Sequence, residues 1–199
     1  MFWKHVDGTG NAELLLPDSR PASTSPDGKW LLLRQGGEIQ SLSLDGGRPN
    51  SQQVVQTEIP GFHIRFSPDG QMVAYTSAKT DRFEVYVQSY PKADKVWQVS
   101  SEGGEEPVWA PSGKELFYRY GNNWLAVSIS GDTELKLGAP RLLFKGSFQN
   151  PYGHSYDIDP QSDRFLMLQS KHTEIRITQL NLVLTWYHEL NRLVPRGKP

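Results

Sequence analysis

The chain has 199 residues, no cysteine, and 21 Lys+Arg against 22 Asp+Glu, a formal net charge of −1. That balance excludes the basic field a nucleic-acid surface requires, and the missing cysteine excludes disulfides, thiolate metal sites and a cysteine nucleophile. Hydrophobic residues make up 37% of the chain, enough for a packed core, while 18 Gly and 14 Pro mark a chain dense in turns.

The first predicted elements are strands at Phe2–Val6 and Ala12–Leu16, joined by the turn Asp7-Gly8-Thr9-Gly10. No apolar run of signal-peptide length follows the amino terminus, and no stretch approaches the ~20 apolar residues of a membrane span. As written, the sequence reads as a cytoplasmic chain without membrane insertion; a periplasmic or extracellular location follows if it is part of a larger parent protein.

Four proline-bearing bends then organise the chain. They are Ser25-Pro26-Asp27-Gly28, Ser67-Pro68-Asp69-Gly70, Ala110-Pro111-Ser112-Gly113 and the eroded Asp159-Pro160-Gln161, with prolines 42, 43 and 49 residues apart. Proline presets φ at the first central turn position, Asp bonds nearby backbone, and glycine takes the left-handed conformation a tight hairpin needs. Each bend therefore joins a first strand to a second. The second strands are predicted at Lys29–Leu33, Gln71–Tyr75, Lys114–Tyr118 and Phe165–Leu168, as short apolar runs. Third strands alternate at Glu38–Leu42, Phe83–Gln88, Trp124–Ile129 and Glu174–Leu180, and fourth strands are predicted at Gln53–Gln56, Val96–Val99 and Arg141–Phe144. A short amphipathic helix is predicted over Thr185–Leu193.

A repeat of about 40–45 residues with four short strands each is the mark of β-propeller blades. The predicted fold class is all-β, a β-propeller of about four blades at approximately 19–57, 61–100, 104–145 and 152–182, with 1–16 completing or flanking the ring. Two closures stay open: the Ala12–Leu16 strand completes the last blade, or the arc closes only by pairing with a second copy.

The bends, with Phe66–Tyr75 and Trp109–Tyr118 as the fullest matches, resemble those of the TolB-like, WD-repeat-like propeller family. The tail Leu184–Pro195 resembles the end of propeller modules attached to bacterial serine/threonine kinases and related sensors. The resemblance implies a non-enzymatic interaction or sensory module with protein or peptide partners and no cofactor. No nucleophile elbow, phosphate loop or paired-histidine metal motif argues otherwise.

First strands line a propeller's central channel, so the polar residues on them are the candidate binding set: His63, Arg65, Glu105, Glu106, His154, Tyr156 and Asp157. Two alternatives accompany this expectation. One is a metal-dependent hydrolase or lactonase using His63, Glu106 and His154 at the channel mouth. The other is a self-associating fragment of a larger propeller.

Overall fold

In a computed structural model of the protein, the described residues are 1–44, 61–131, 134–149, 153–161 and 164–169, with backbone alone at 51–55, 61, 79 and 80. They contain strands and no helix. The predicted third strand at Glu174–Leu180 and the helix at Thr185–Leu193 lie outside them. Among the described residues, no helix is long and apolar enough to cross a membrane.

A short hairpin opens the chain, β1 (Phe2–Trp3) against β2 (Glu13–Leu14), both shorter than predicted. Four antiparallel sheets follow in chain order. The first is β3 (Ser19–Thr24), β4 (Trp30–Gln35), β5 (Glu38–Ser43) and β6 (Ser51–Val55), each paired with the next. The second repeats that order with β7 (Gly61–Phe66), β8 (Met72–Thr80), β9 (Arg82–Ser89) and β10 (Val96–Gln98). In the third, β11 (Glu105–Trp109), β12 (Glu115–Tyr120) and β13 (Asn123–Ser130) run in sequence. Here β13 pairs with both β14 (Lys136–Leu137) and β15 (Arg141–Lys145), so the outer position is shared by two short strands. The fourth shows β16 (Tyr156–Asp159) against β17 (Arg164–Met167).

All four proline bends sit between the first and second strands of these sheets, as predicted. Their chemistry is local and repeated. In the second bend, Ser67 Oγ donates to Asp69 Oδ1 at 2.5 Å and accepts from Met72 N at 2.9 Å, while Gln71 N donates to the same Asp69 oxygen at 3.0 Å. Ser25 and Asp27 repeat the pattern, with Ser25 Oγ accepting from Trp30 N at 2.9 Å. Gly70 closes its bend at φ 70°, where any other residue is strained.

Three apolar cores lie between consecutive sheets. Leu32, Ile39, Ile64, Phe66 and Val73 join the first to the second; Val85, Val87, Trp109, Leu116 and Val127 join the second to the third. Val108, Trp124 and Tyr156, with Phe117, Phe144 and Phe165, join the third to the fourth. Sheets that alternate strand by strand between two buried faces give the near-continuous apolar second strands read from the sequence. In addition, β7 packs against β3 and β11 against β7, so the first strands of successive sheets are neighbours.

Candidate functional site

Three of the four first strands, β3, β7 and β11, carry a break in register ahead of the bend, while β16 pairs with β17 without one. The pairing slips between Pro21 and Ser23 in β3, between Phe62 and Arg65 in β7, and between Glu105 and Val108 in β11. Such bulges turn a side chain away from the regular alternation. His63 at φ 53° and Glu106 at φ 56° occupy equivalent bulge positions, each five residues before its bend proline, in a conformation non-glycine residues adopt at some cost. Pro21 and Ser155 hold the same place in the first and fourth sheets.

Glu106 is fully buried, and its carboxylate is engaged on both oxygens. Ser155 donates from its backbone N and its Oγ to Oε2, both at 2.6 Å, and Arg119 Nη1 lies 3.5 Å from Oε1. Arg119 also donates to Ser155 Oγ at 2.8 Å and to the Gly121 carbonyl at 3.1 Å, with its guanidinium 5.4 Å from the Trp124 ring centroid. Tyr156, itself buried, donates from its hydroxyl to the Glu106 carbonyl at 2.7 Å. Burial first, and the Glu106 charge second, push that phenol well above its ordinary pKa. From Glu106 the network continues into the second sheet. Glu106 N donates to Thr76 Oγ1 at 3.2 Å, Thr76 Oγ1 lies 3.5 Å from His63 Nδ1, and His63 Nε2 lies 3.0 Å from the Gly153 carbonyl. That carbonyl can only accept, so the network assigns the proton to His63 Nε2.

The four chain segments converge on one cavity of about 560 Å³. Arg20, Phe62 and Glu105 from the first three sheets and His154 just ahead of β16 line it, each six residues before a bend proline, together with His63 and Arg34. The volume is within the range of small-ligand pockets, roughly 300–1,000 Å³. The His63 and His154 rings stand 5.2 Å apart. Burial, then the Arg65 and His63 charges, push the His154 pKa down to about 3, and its Nδ1 is buried without a partner. Burial likewise lowers His63 and raises Glu105.

Of the seven predicted residues, His63, Glu105 and His154 thus face the cavity. Glu106 and Tyr156 do not: they form the buried bracket beneath it rather than a solvated rim, because Ser155 and Arg119 consume the carboxylate. Arg65 and Asp157 form an ion pair at 3.7 Å between β7 and β16, with Asp157 well exposed. The metal-ligand set imagined from sequence loses Glu106 to this bracket, and among the described residues no three His, Asp or Glu side chains are grouped to hold an ion. Sequence reading missed Arg20, Arg34, Thr76, Arg119 and Ser155. The signal was present: Arg34, Thr76 and Arg119 each lie eight residues after a bend proline.

No protein-family model matches the chain, and no curated protein matches it in sequence. Solved structures do match in shape. A protein assigned as TolB from Agrobacterium tumefaciens is 20% identical with a TM-score of 0.53, over 68% of this chain and 53% of that one. The nidogen propeller of a nidogen–laminin complex is 18% identical with a TM-score of 0.58, over 80% of this chain and 60% of its own. A protein assigned as a 6-phosphogluconolactonase from Bacteroides uniformis is 16% identical with a TM-score of 0.51, over 84% of this chain and 64% of that one. The chain therefore spans between 53% and 64% of the length of these proteins. What it shares with them, at such identities, is architecture: an all-β chain with the fold of a β-propeller.

Proposed function

We propose that this propeller is a non-enzymatic, TolB-like interaction module that binds a peptide segment of a partner protein at the cavity where its first strands meet. The carrying observation is the division of labour among the first-strand residues. Glu106, the carboxylate a channel-mouth hydrolase would use, is locked into a bracket between sheets, while Arg20, Phe62, His63, Glu105 and His154 wall an open cavity. A rigid scaffold displaying mixed polar and aromatic side chains at a concavity is suited to recognition. The hydrolase reading would need a reactive group, and the described residues offer two imidazoles without a free carboxylate partner beside Glu105.

The test is selection of displayed peptides on the full-length chain, followed by fluorescence titration of the selected peptides. Ala22 lines the cavity and is exposed, so Ala22→Trp fills the space without disturbing a core. We expect the selected peptides to lose about tenfold or more in affinity for this variant, equivalent to ~1.4 kcal/mol. Peptides that bind both proteins equally would place recognition elsewhere and overturn the reading.

A second reading is self-association. Its specific support is exposed apolar side chains at Phe2, Trp3, Val6 and Leu14 in and beside the opening hairpin and at Leu166 and Leu168 in and just after β17.

A further inference from the structure

The first and third sheets carry an arginine at the same place on their second strands, and the two are treated differently. Arg119 on β12 stands directly opposite Glu105 in the strand register, and its guanidinium meets the Glu106 carboxylate. Arg34 on β4 stands directly opposite Arg20, and the position equivalent to Glu106 is Pro21. The first sheet therefore repeats the cation of the third without either acid. Like charges directly opposite each other across a strand pair are unfavourable. Among the described residues no carboxylate lies within ion-pair distance of Arg20 or Arg34, and both line the cavity.

We infer that Arg20 and Arg34 receive a carboxylate of the bound peptide, which takes the place that Glu106 fills for Arg119. This rests on the reading of the cavity as a peptide site and names the chemistry recognised there. Guanidinium groups match carboxylates with two parallel N–H donors, and the Arg119 bracket shows that this fold aims such a group inward from this strand position. A side-chain carboxylate of Asp or Glu and a free chain terminus present the same oxygens, so both are candidate sources.

The experiment is a low-salt NMR titration of the full-length chain, since exposed charges are screened at higher ionic strength. Three probes separate the sources: N-acetyl-glutamate amide, N-acetyl-alanine with a free carboxylate, and the neutral N-acetyl-alanine amide. At least one acid should give saturable shifts at Arg20, Arg34 and Phe62, and the neutral probe none. Shifts with the first acid only identify a side-chain carboxylate, and with the second only a terminus. Arg34→Gln and Arg20→Gln should each weaken binding about tenfold or more, as loss of a charged hydrogen-bond partner does. Pro21→Glu supplies the missing internal acid and should abolish binding while both arginines remain, a result that loss of folding in the arginine variants cannot mimic. Acids that give no saturable shift, or a Pro21→Glu variant that binds as the wild type does, would overturn the inference. If that happens while Ala22→Trp still blocks the selected peptides, the cavity stands as the peptide site and only the carboxylate chemistry falls.

Discussion

Glu106 is fully buried, and its carboxylate is held there by three donors, two from Ser155 and one from Arg119. An ion pair so enclosed contributes little net stability, but removing one partner leaves the other uncompensated at a cost of about 3–5 kcal/mol. The Arg65–Asp157 pair, which joins β7 to β16 at the surface, is the opposite case, worth about 0–1 kcal/mol. His154 adds a pH dependence of known sign. Its pKa is pushed down to about 3 by burial and by the Arg65 and His63 charges, against 6.5 for a free imidazole. Between those values the unfolded chain binds the proton and the folded chain does not. Stability therefore falls as pH drops from the unfolded value toward the folded one, by an amount on the order of a few kcal/mol for this group. Urea midpoints measured from about pH 7 to about pH 4 should decline, and His154→Asn should flatten part of that decline, leaving the His63 share. A variant with the full wild-type slope would show that His154 titrates freely.

At the level of single elements, the proline bends test how local chemistry sets a strand junction. Gly70 and Gly113 have the same φ of 70°, but a Cβ on Gly70 would lie 3.3 Å from Pro26 Cδ, whereas one on Gly113 would lie 3.8 Å from Pro68 Cδ. Both substitutions meet the left-handed penalty of roughly 1 kcal/mol. Gly70→Ala must also displace the preceding bend, so it should be the more destabilising of the two in thermal unfolding; equal losses would contradict that packing. These bends were legible from sequence because Ser, Pro, Asp and Gly make their bonds within five residues of one another. The strands flanking them followed from the alternation and from apolar runs. The bracket was not legible in the same way, since Ser155 meets Glu106 from 49 residues away. Spacing to the proline marks both positions, yet spacing alone does not distinguish a carboxylate facing solvent from one facing a serine. Tyr156 illustrates the same limit: its hydroxyl finds a carbonyl only because the bulge at Glu106 presents one.

On the scale of the whole molecule, the three inter-sheet cores account for the repeat. Each sheet is buried by its neighbours, so the sheets at the two ends of a series are the ones whose faces need covering. Phe2, Trp3 and Leu14 on the opening hairpin and Leu166 and Leu168 at and just after β17 are exposed, as are Phe83, Val96, Tyr120 and Leu142 on the sheets between them. Self-association through Trp3 and Leu166 should appear as a concentration-dependent mass above 22.5 kDa in light scattering, and Trp3→Glu together with Leu166→Glu should return the particle to that mass. A constant monomer mass would end that reading. The Glu106 bracket has a different consequence for the molecule. Gly153, Ser155 and Tyr156 are fastened by His63 and Glu106, so the two strands that follow take their place from those anchors and not from the path leading to them. The 49-residue step from Pro111 to Pro160 is thereby not what sets the place of those strands. Closure entropy rises by only about 0.6 kcal/mol when a loop doubles, which makes this step, already the widest of the three, the point where extra sequence can be admitted without moving the strands on either side.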